Sequence, residues 1–162
     1  MILNALTIFH VALSLVGIGS GVVAIHGLLK AKTPGRWTQV FLATTAATSL
    51  TGFFFPFHGF TPAIGLGLIS LPILALTIYA RYPKNLAGAW RLIYVLGAVI
   101  SLYFNVFVGV VQSFEKIPAL TALAPTQSDP PFKLTQLVVL ALLVVLTFVA
   151  AIRFRPEPLR VQ

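Results

Sequence analysis

Cysteine is absent from this chain, which excludes disulfides, thiolate metal sites and thiol redox chemistry. Acids are almost absent as well. The only ones, Glu115, Asp129 and Glu157, lie outside the long apolar runs. A zinc or iron site would have to combine two histidines with weak amide ligands, so no metal site is expected. No Ser, His and acid set falls at one depth, which argues against hydrolytic catalysis. No lysine lies inside a run to carry retinal, and proton relays lack their usual buried carboxylates. Catalytic residues are therefore not expected.

Charged residues of both signs make up 9% of the chain and hydrophobic residues 58%. Ordinary soluble domains carry roughly 25% charged residues. A bilayer is the solvent this composition suits. The net charge of +8 could suggest nucleic acid, but phosphates are collected by basic patches on wetted surface, and too little such surface exists here. The expected partner is lipid, with other membrane subunits as further candidates.

A helix needs about 20 apolar residues to cross ~30 Å of hydrocarbon. Uncharged runs of about that length cover residues 2–29, 37–57, 63–80, 92–114 and 134–152. They are continuously apolar, whereas barrel strands alternate. The fold expected is all-α, a single polytopic transmembrane domain of five helices over 1–162. The first run has no basic segment before it and outlasts the ~7–15-residue core of a secretory signal, so a retained span is expected.

Basic residues set the orientation. Lys30, Lys32 and Arg36 separate the first two runs, Arg81, Lys84 and Arg91 the third and fourth, and Arg153, Arg155 and Arg160 follow the fifth. Of 11 Lys and Arg, only Lys116 and Lys133 fall on the other side. Cytoplasmic loops carry such an excess, which predicts the amino terminus outside and the carboxyl terminus in the cytoplasm. Trp37, Tyr79, Tyr82 and Trp90 flank the basic loops, where amphipathic rings favour the headgroup level.

Small residues mark helix contacts, because lipid gives apolar helices no hydrophobic reason to associate. Gly17 and Gly21 in GIGSG, and the Thr44, Thr48 and Gly52 stripe in ATTAATSLTG, are of this kind; a hydroxyl-lined solute path is the alternative use. Pro72 removes the partner of the Leu68 carbonyl and predicts a kink.

Depth sorts the polar residues. His10 lies about 12 Å along the first helix and His26 about 36 Å, near the cytoplasmic surface. On the outward-running fourth helix, Asn105 lies about 14 Å below the outer end and Gln112 about 3 Å. His10 and Asn105 are thus expected at one level, with Gln136 near Gln112 and His58 at the outer end of the second span. Such groups should face one another, water or a ligand. His10, His58, Asn105, Gln112 and Gln136 are the candidate ligand-binding residues of an outward-facing polar pocket. The loop 115–133, with Pro118, Pro125, Pro130 and Pro131, is expected to be stiff and extended, serving as a plain connection or a lid.

A quinone would need a hydrogen-bond donor from His10, His58, Asn105 or Gln112 and apolar walls, which the phenylalanines of FFFPFHGF supply. Haem b would need two axial imidazoles, and the ~12 Å depth difference between His10 and His58 opposes that. A lone histidine at a helix end also has a plain interfacial reading.

The stretches TSLTGFFFPFHGFTPAIG, GAWRLIYV and LAPTQSDPPF resemble those of small multi-span bacterial inner-membrane proteins. The resemblance implies an inner-membrane location and helical topology, and it brings no activity and no residue role. The resulting expectation is a non-catalytic binding or accessory subunit of a membrane redox or transport complex. An independent carrier for a small neutral or aromatic solute and a b-type haem protein are the alternatives.

Overall fold

The computed structural model describes residues 2–33, 35–56 and 62–155. Every regular element among them is helical: α1 (Ile2–Leu29), α2 (Gly35–Gly52), α3 (Pro62–Arg81), α4 (Trp90–Lys116), a short α5 (Pro118–Leu123) and α6 (Pro130–Arg153). The all-α expectation is met. Long apolar segments take this form because a helix pairs its own N–H and C=O groups without help from water.

Among the described residues four helices, α1, α3, α4 and α6, are long and apolar enough to cross a membrane. The expectation of five such runs is only partly matched. Counting uncharged residues overlooked what α2 contains: it begins early enough to include Arg36 and ends at Gly52, so the phenylalanines that follow are not part of it. Threonines and Ser49 fill its second half. The chain leaves α2 through a tight turn, in which Phe53 N–H donates to the Leu50 carbonyl at 3.2 Å and Phe54 N–H to Thr51 at 3.1 Å. Pro56 follows and has no N–H to continue the ladder.

Side-chain pairings fix the direction of each helix. His10 meets Thr51 while Gly17 meets Thr44, so α1 and α2 run antiparallel. Ser49 with Ser70 and Phe53 with Gly67 give the same relation for α2 and α3. Gly97 opposite Thr77 sets α3 against α4, and Phe107 with Gln136 and Phe114 with Phe132 set α4 against α6. The five long helices therefore alternate in direction, and α4 is the central one, packing on α1, α3, α5 and α6.

The core lies around α4. Tyr94, Val95, Ala98, Val99 and Leu102 are buried against Ala24, Ile25 and Leu28 of α1, Phe41 and Leu42 of α2, and Leu74 of α3. On α6 the opposite holds, since Leu137, Val138, Leu142, Val145, Phe148 and Ile152 are all exposed. A surface of that kind suits lipid and not water. α3 continues through Pro72, whose ring lies on the exposed side.

Glycine sets the closest approaches. A Cβ on Gly21 would come 2.8 Å from both Phe41 Cε2 and Leu102 Cδ1, and one on Gly97 would overlap Thr77 Oγ1. Gly19, between the two contacting glycines of GIGSG, faces open space. Substituting Gly21→Val or Gly97→Val should destabilise the bundle by about 1–3 kcal/mol through overpacking, read as a lowered thermal midpoint in detergent. Gly19→Ala should leave the midpoint in place; equal losses at all three positions would contradict this packing.

Candidate functional site

His10 is half-buried where α1 meets the end of α2. Its Nδ1 lies 2.8 Å from Thr51 Oγ1. The single hydroxyl hydrogen of Thr51 is already directed along its own helix, 2.7 Å from the Ala47 carbonyl and 3.2 Å from that of Thr48. Thr51 keeps that bond and accepts from the imidazole when neutral His10 carries its proton on Nδ1, the tautomer that satisfies both contacts and leaves Nε2 as a hydrogen-bond acceptor. Phe55 stands edge-on to the ring, with centroids 5.1 Å apart and planes at 82°. Gly52 lies beside the imidazole, where a Cβ would meet His10 Cε1 in ordinary contact at 3.7 Å.

Asn105 is elsewhere. Its Nδ2 donates to Thr45 Oγ1 at 2.9 Å, and Thr45 is fully buried. Gly17 provides the space, because a Cβ there would lie 3.2 Å from Asn105 Nδ2. Along α2, Thr45 lies about 9 Å from Thr51. The expectation that His10 and Asn105 share a level is corrected: their partners stand six residues apart on α2, because depth counted from separate helix ends does not fix the register in which the helices pack.

Gln136 is buried on α6 and donates to the Phe107 carbonyl of α4 at 3.1 Å; its Oε1 has no partner among the described residues. Gln112 is exposed and reaches Glu115 Oε2 at 3.4 Å, away from the helix interior. His58 lies outside the described residues. The four described candidates thus have separate partners, and among the described residues they do not line one pocket.

The segment 115–133 also departs from expectation. It was expected to run extended, yet α4 continues to Lys116, α5 occupies Pro118–Leu123 and α6 starts at Pro130. The prolines allow this because Pro118 and Pro130 stand in first turns, where no intrahelical bond needs their missing N–H. Phe114, Ala124 and Phe132 form a small core of their own with Leu120 against it. This cap packs against the ends of α4 and α6. It borders an open cavity of about 160 Å³ lined by Glu115, Thr121, Thr126 and Gln127 among others. Gln127 Nε2 donates to Glu115 Oε1 at 3.1 Å.

Asp129 closes the turn before α6. Both the N–H and the hydroxyl of Thr126 donate to its Oδ2, at 2.7 and 2.9 Å. These donors favour the charged form and hold the Asp129 carboxyl below its ordinary value.

Sequence reasoning missed Thr45 and Thr51, whereas Phe55 is one of the phenylalanines expected as an apolar wall. A usable signal was present. In an antiparallel helical hairpin each step down α1 is matched by a step back on α2, so Gly17 opposite Thr44 places His10 opposite Thr51.

Fold and contacts together define an all-helical bundle with the apolar surface of a membrane protein. No known protein family, curated protein or solved structure matches the chain.

Two outcomes follow from these contacts. In a double-mutant cycle of Asn105→Ala and Thr45→Val, unfolding in mixed micelles should report a coupling of about 0.6 kcal/mol, with ~1.7 as an upper bound, while Gln112→Ala should change stability by less than about 0.5 kcal/mol. A folded-state carboxyl pKa below the unfolded one stabilises above the unfolded value and loses that contribution as pH falls through the folded value. The Thr126 amide should therefore be protected from hydrogen exchange at neutral pH and lose protection in acid below the ordinary carboxylate range. Asp129→Ala should abolish the protection throughout; unchanged protection would show that the turn does not depend on the carboxylate.

Proposed function

We propose that the chain crosses the bacterial inner membrane five times, amino terminus outside, as a small non-catalytic binding or accessory subunit of a membrane redox or transport complex. The alternating direction of the five long helices supports five crossings, with the 18 residues of α2 giving about 27 Å. The basic residues between α1 and α2, between α3 and α4 and after α6 fall at one end of such an arrangement, which supports the orientation.

The ligand seat in this reading is the corner of His10, Thr51 and Phe55, and the ligand is an amphipathic ring that donates a hydroxyl, as a quinol does. One observation carries it. The His10 Nδ1 proton is committed to Thr51, so the group left for a ligand is the Nε2 lone pair, set beside an aromatic wall. A quinone carbonyl needs a donor and would be poorly served by neutral His10. A quinol hydroxyl finds its acceptor.

The test compares reduced and oxidised decylubiquinone binding to the purified protein by titration in detergent. The reduced form should bind roughly tenfold more tightly, as one hydrogen bond of about 1.4 kcal/mol allows. His10→Leu should remove that preference, and Thr51→Val should weaken it by releasing the imidazole, while His26→Leu should leave it unchanged. A visible band that sharpens on reduction of the isolated protein would point to haem on Nε2 instead, and equal binding by wild type and His10→Leu would end the quinol reading.

A further inference from the structure

The turn between α3 and α4 gathers cations and rings at one end of the bundle. Lys84 Nζ lies 5.5 Å from the ring centroids of both Tyr79 and Trp90, which themselves meet edge-on at 5.3 Å. Arg81 Cζ lies 5.5 Å from the rings of both Tyr82 and Tyr94. Each cation is thereby positioned by two aromatic faces. Ring faces attract the charge without spending the Lys84 N–H donors, whereas Arg81 is partly turned to the interior, with its Nε buried and without a hydrogen-bond partner among the described residues. Arg91, the next cation along, differs. Its Nη1 donates to the Ala151 and Phe154 carbonyls, so it is engaged in closing the end of α6.

No described carboxylate can answer Arg81 and Lys84. Glu115 stands in the last turn of α4 and Asp129 just before α6, at the opposite end of the bundle, and Glu157 lies outside the described residues. An anion supplied by the surroundings would suit both cations. Position narrows the choice. Arg81 ends one apolar helix and Trp90 begins the next, so the pair sits where hydrocarbon gives way to headgroups. Tyr79 and Tyr82 are exposed beside the cations, and Leu76 is exposed one turn deeper on α3, where an acyl chain would run.

We infer that Arg81 and Lys84 form a binding site for the phosphodiester of an anionic phospholipid, with the Tyr79 and Trp90 rings against its glycerol and upper acyl chain. A zwitterionic headgroup carries its own amine beside the phosphate, and these cations would repel it. The preference is therefore for a lipid with net negative charge, such as phosphatidylglycerol, over phosphatidylcholine. At about 1 kcal/mol per basic residue near the surface, two cations correspond to a preference of roughly thirtyfold.

Trp90 is the reporter. The chain has two tryptophans, so a Trp37→Phe background leaves Trp90 as the sole fluorophore. This protein is placed in phosphatidylcholine vesicles containing a small fraction of either phosphatidylglycerol or phosphatidylcholine with acyl chains brominated near the glycerol. Brominated phosphatidylglycerol should quench Trp90 at a roughly thirtyfold lower mole fraction. The preference should fall to within about twofold in Arg81→Gln/Lys84→Gln, persist in Arg81→Lys/Lys84→Arg, and be intermediate in Lys84→Gln alone, the variant to read if the double change fails to fold. Millimolar inorganic phosphate should not relieve the quenching. Equal quenching by the two lipids, full preference in Lys84→Gln, or relief by free phosphate would each overturn the lipid site.

Discussion

Polar groups placed among apolar helices need partners within the chain, and α2 meets that demand at Thr44 and Thr51 with its own backbone, while the Thr38 and Thr48 hydroxyls stay buried without a partner among the described residues. Thr44 donates to the Val40 carbonyl at 2.7 Å and Thr51 to the Ala47 carbonyl at 2.7 Å. Such back-bonding conceals the hydroxyls and lets a helix rich in threonine pack beside apolar ones. Hydroxyl oxygens of α2 also accept from other helices. Thr51 takes the His10 proton and Thr45 takes one from Asn105, so α2 becomes the acceptor strip against which α1 and α4 are registered. Without it the imidazole has no fixed tautomer and Asn105 no fixed rotamer.

Glycine makes the registration possible. Gly21 admits the Phe41 ring at a spacing that a methyl group would prevent, and Gly17 admits the Asn105 amide at one that a methyl group would crowd. Steric closeness and hydrogen bonding thus cooperate at one seam between α1, α2 and α4. Away from it the bundle is held by apolar contact, and α6 shows this most plainly. One face anchors through Gln136, Leu143 and Ala150, while the other remains an exposed apolar surface.

The two ends of the bundle differ in chemistry. One carries carboxylates answered by amides and hydroxyls within the cap, as in Gln127 with Glu115 and Thr126 with Asp129. The other carries cations answered by ring faces and by the carbonyls at the end of α6. The first end satisfies itself. The second leaves its cations without a carboxylate among the described residues, and this contrast motivates a lipid partner there. Between them the His10 corner offers an acceptor and an aromatic edge, which is the chemistry behind the proposed quinol seat.

Composition and the spacing of charges determined that the chain is all helical, where its long helices lie to within a few residues, and that small residues such as Gly17 and Gly21 mark contacts. Those features depend on local backbone satisfaction and on the removal of apolar surface from water, both of which act along a single segment. Which polar residues meet was settled by tertiary structure. Depth measured along separate helices put His10 beside Asn105, but packing moved them to different levels, because register between helices is set by where glycine admits a neighbour and not by where an apolar run begins. The prolines of the cap show the same limit: Pro118 and Pro130 read as breakers until their place in a first turn is known, and that place depends on the phenylalanines that fold the cap back onto α4 and α6.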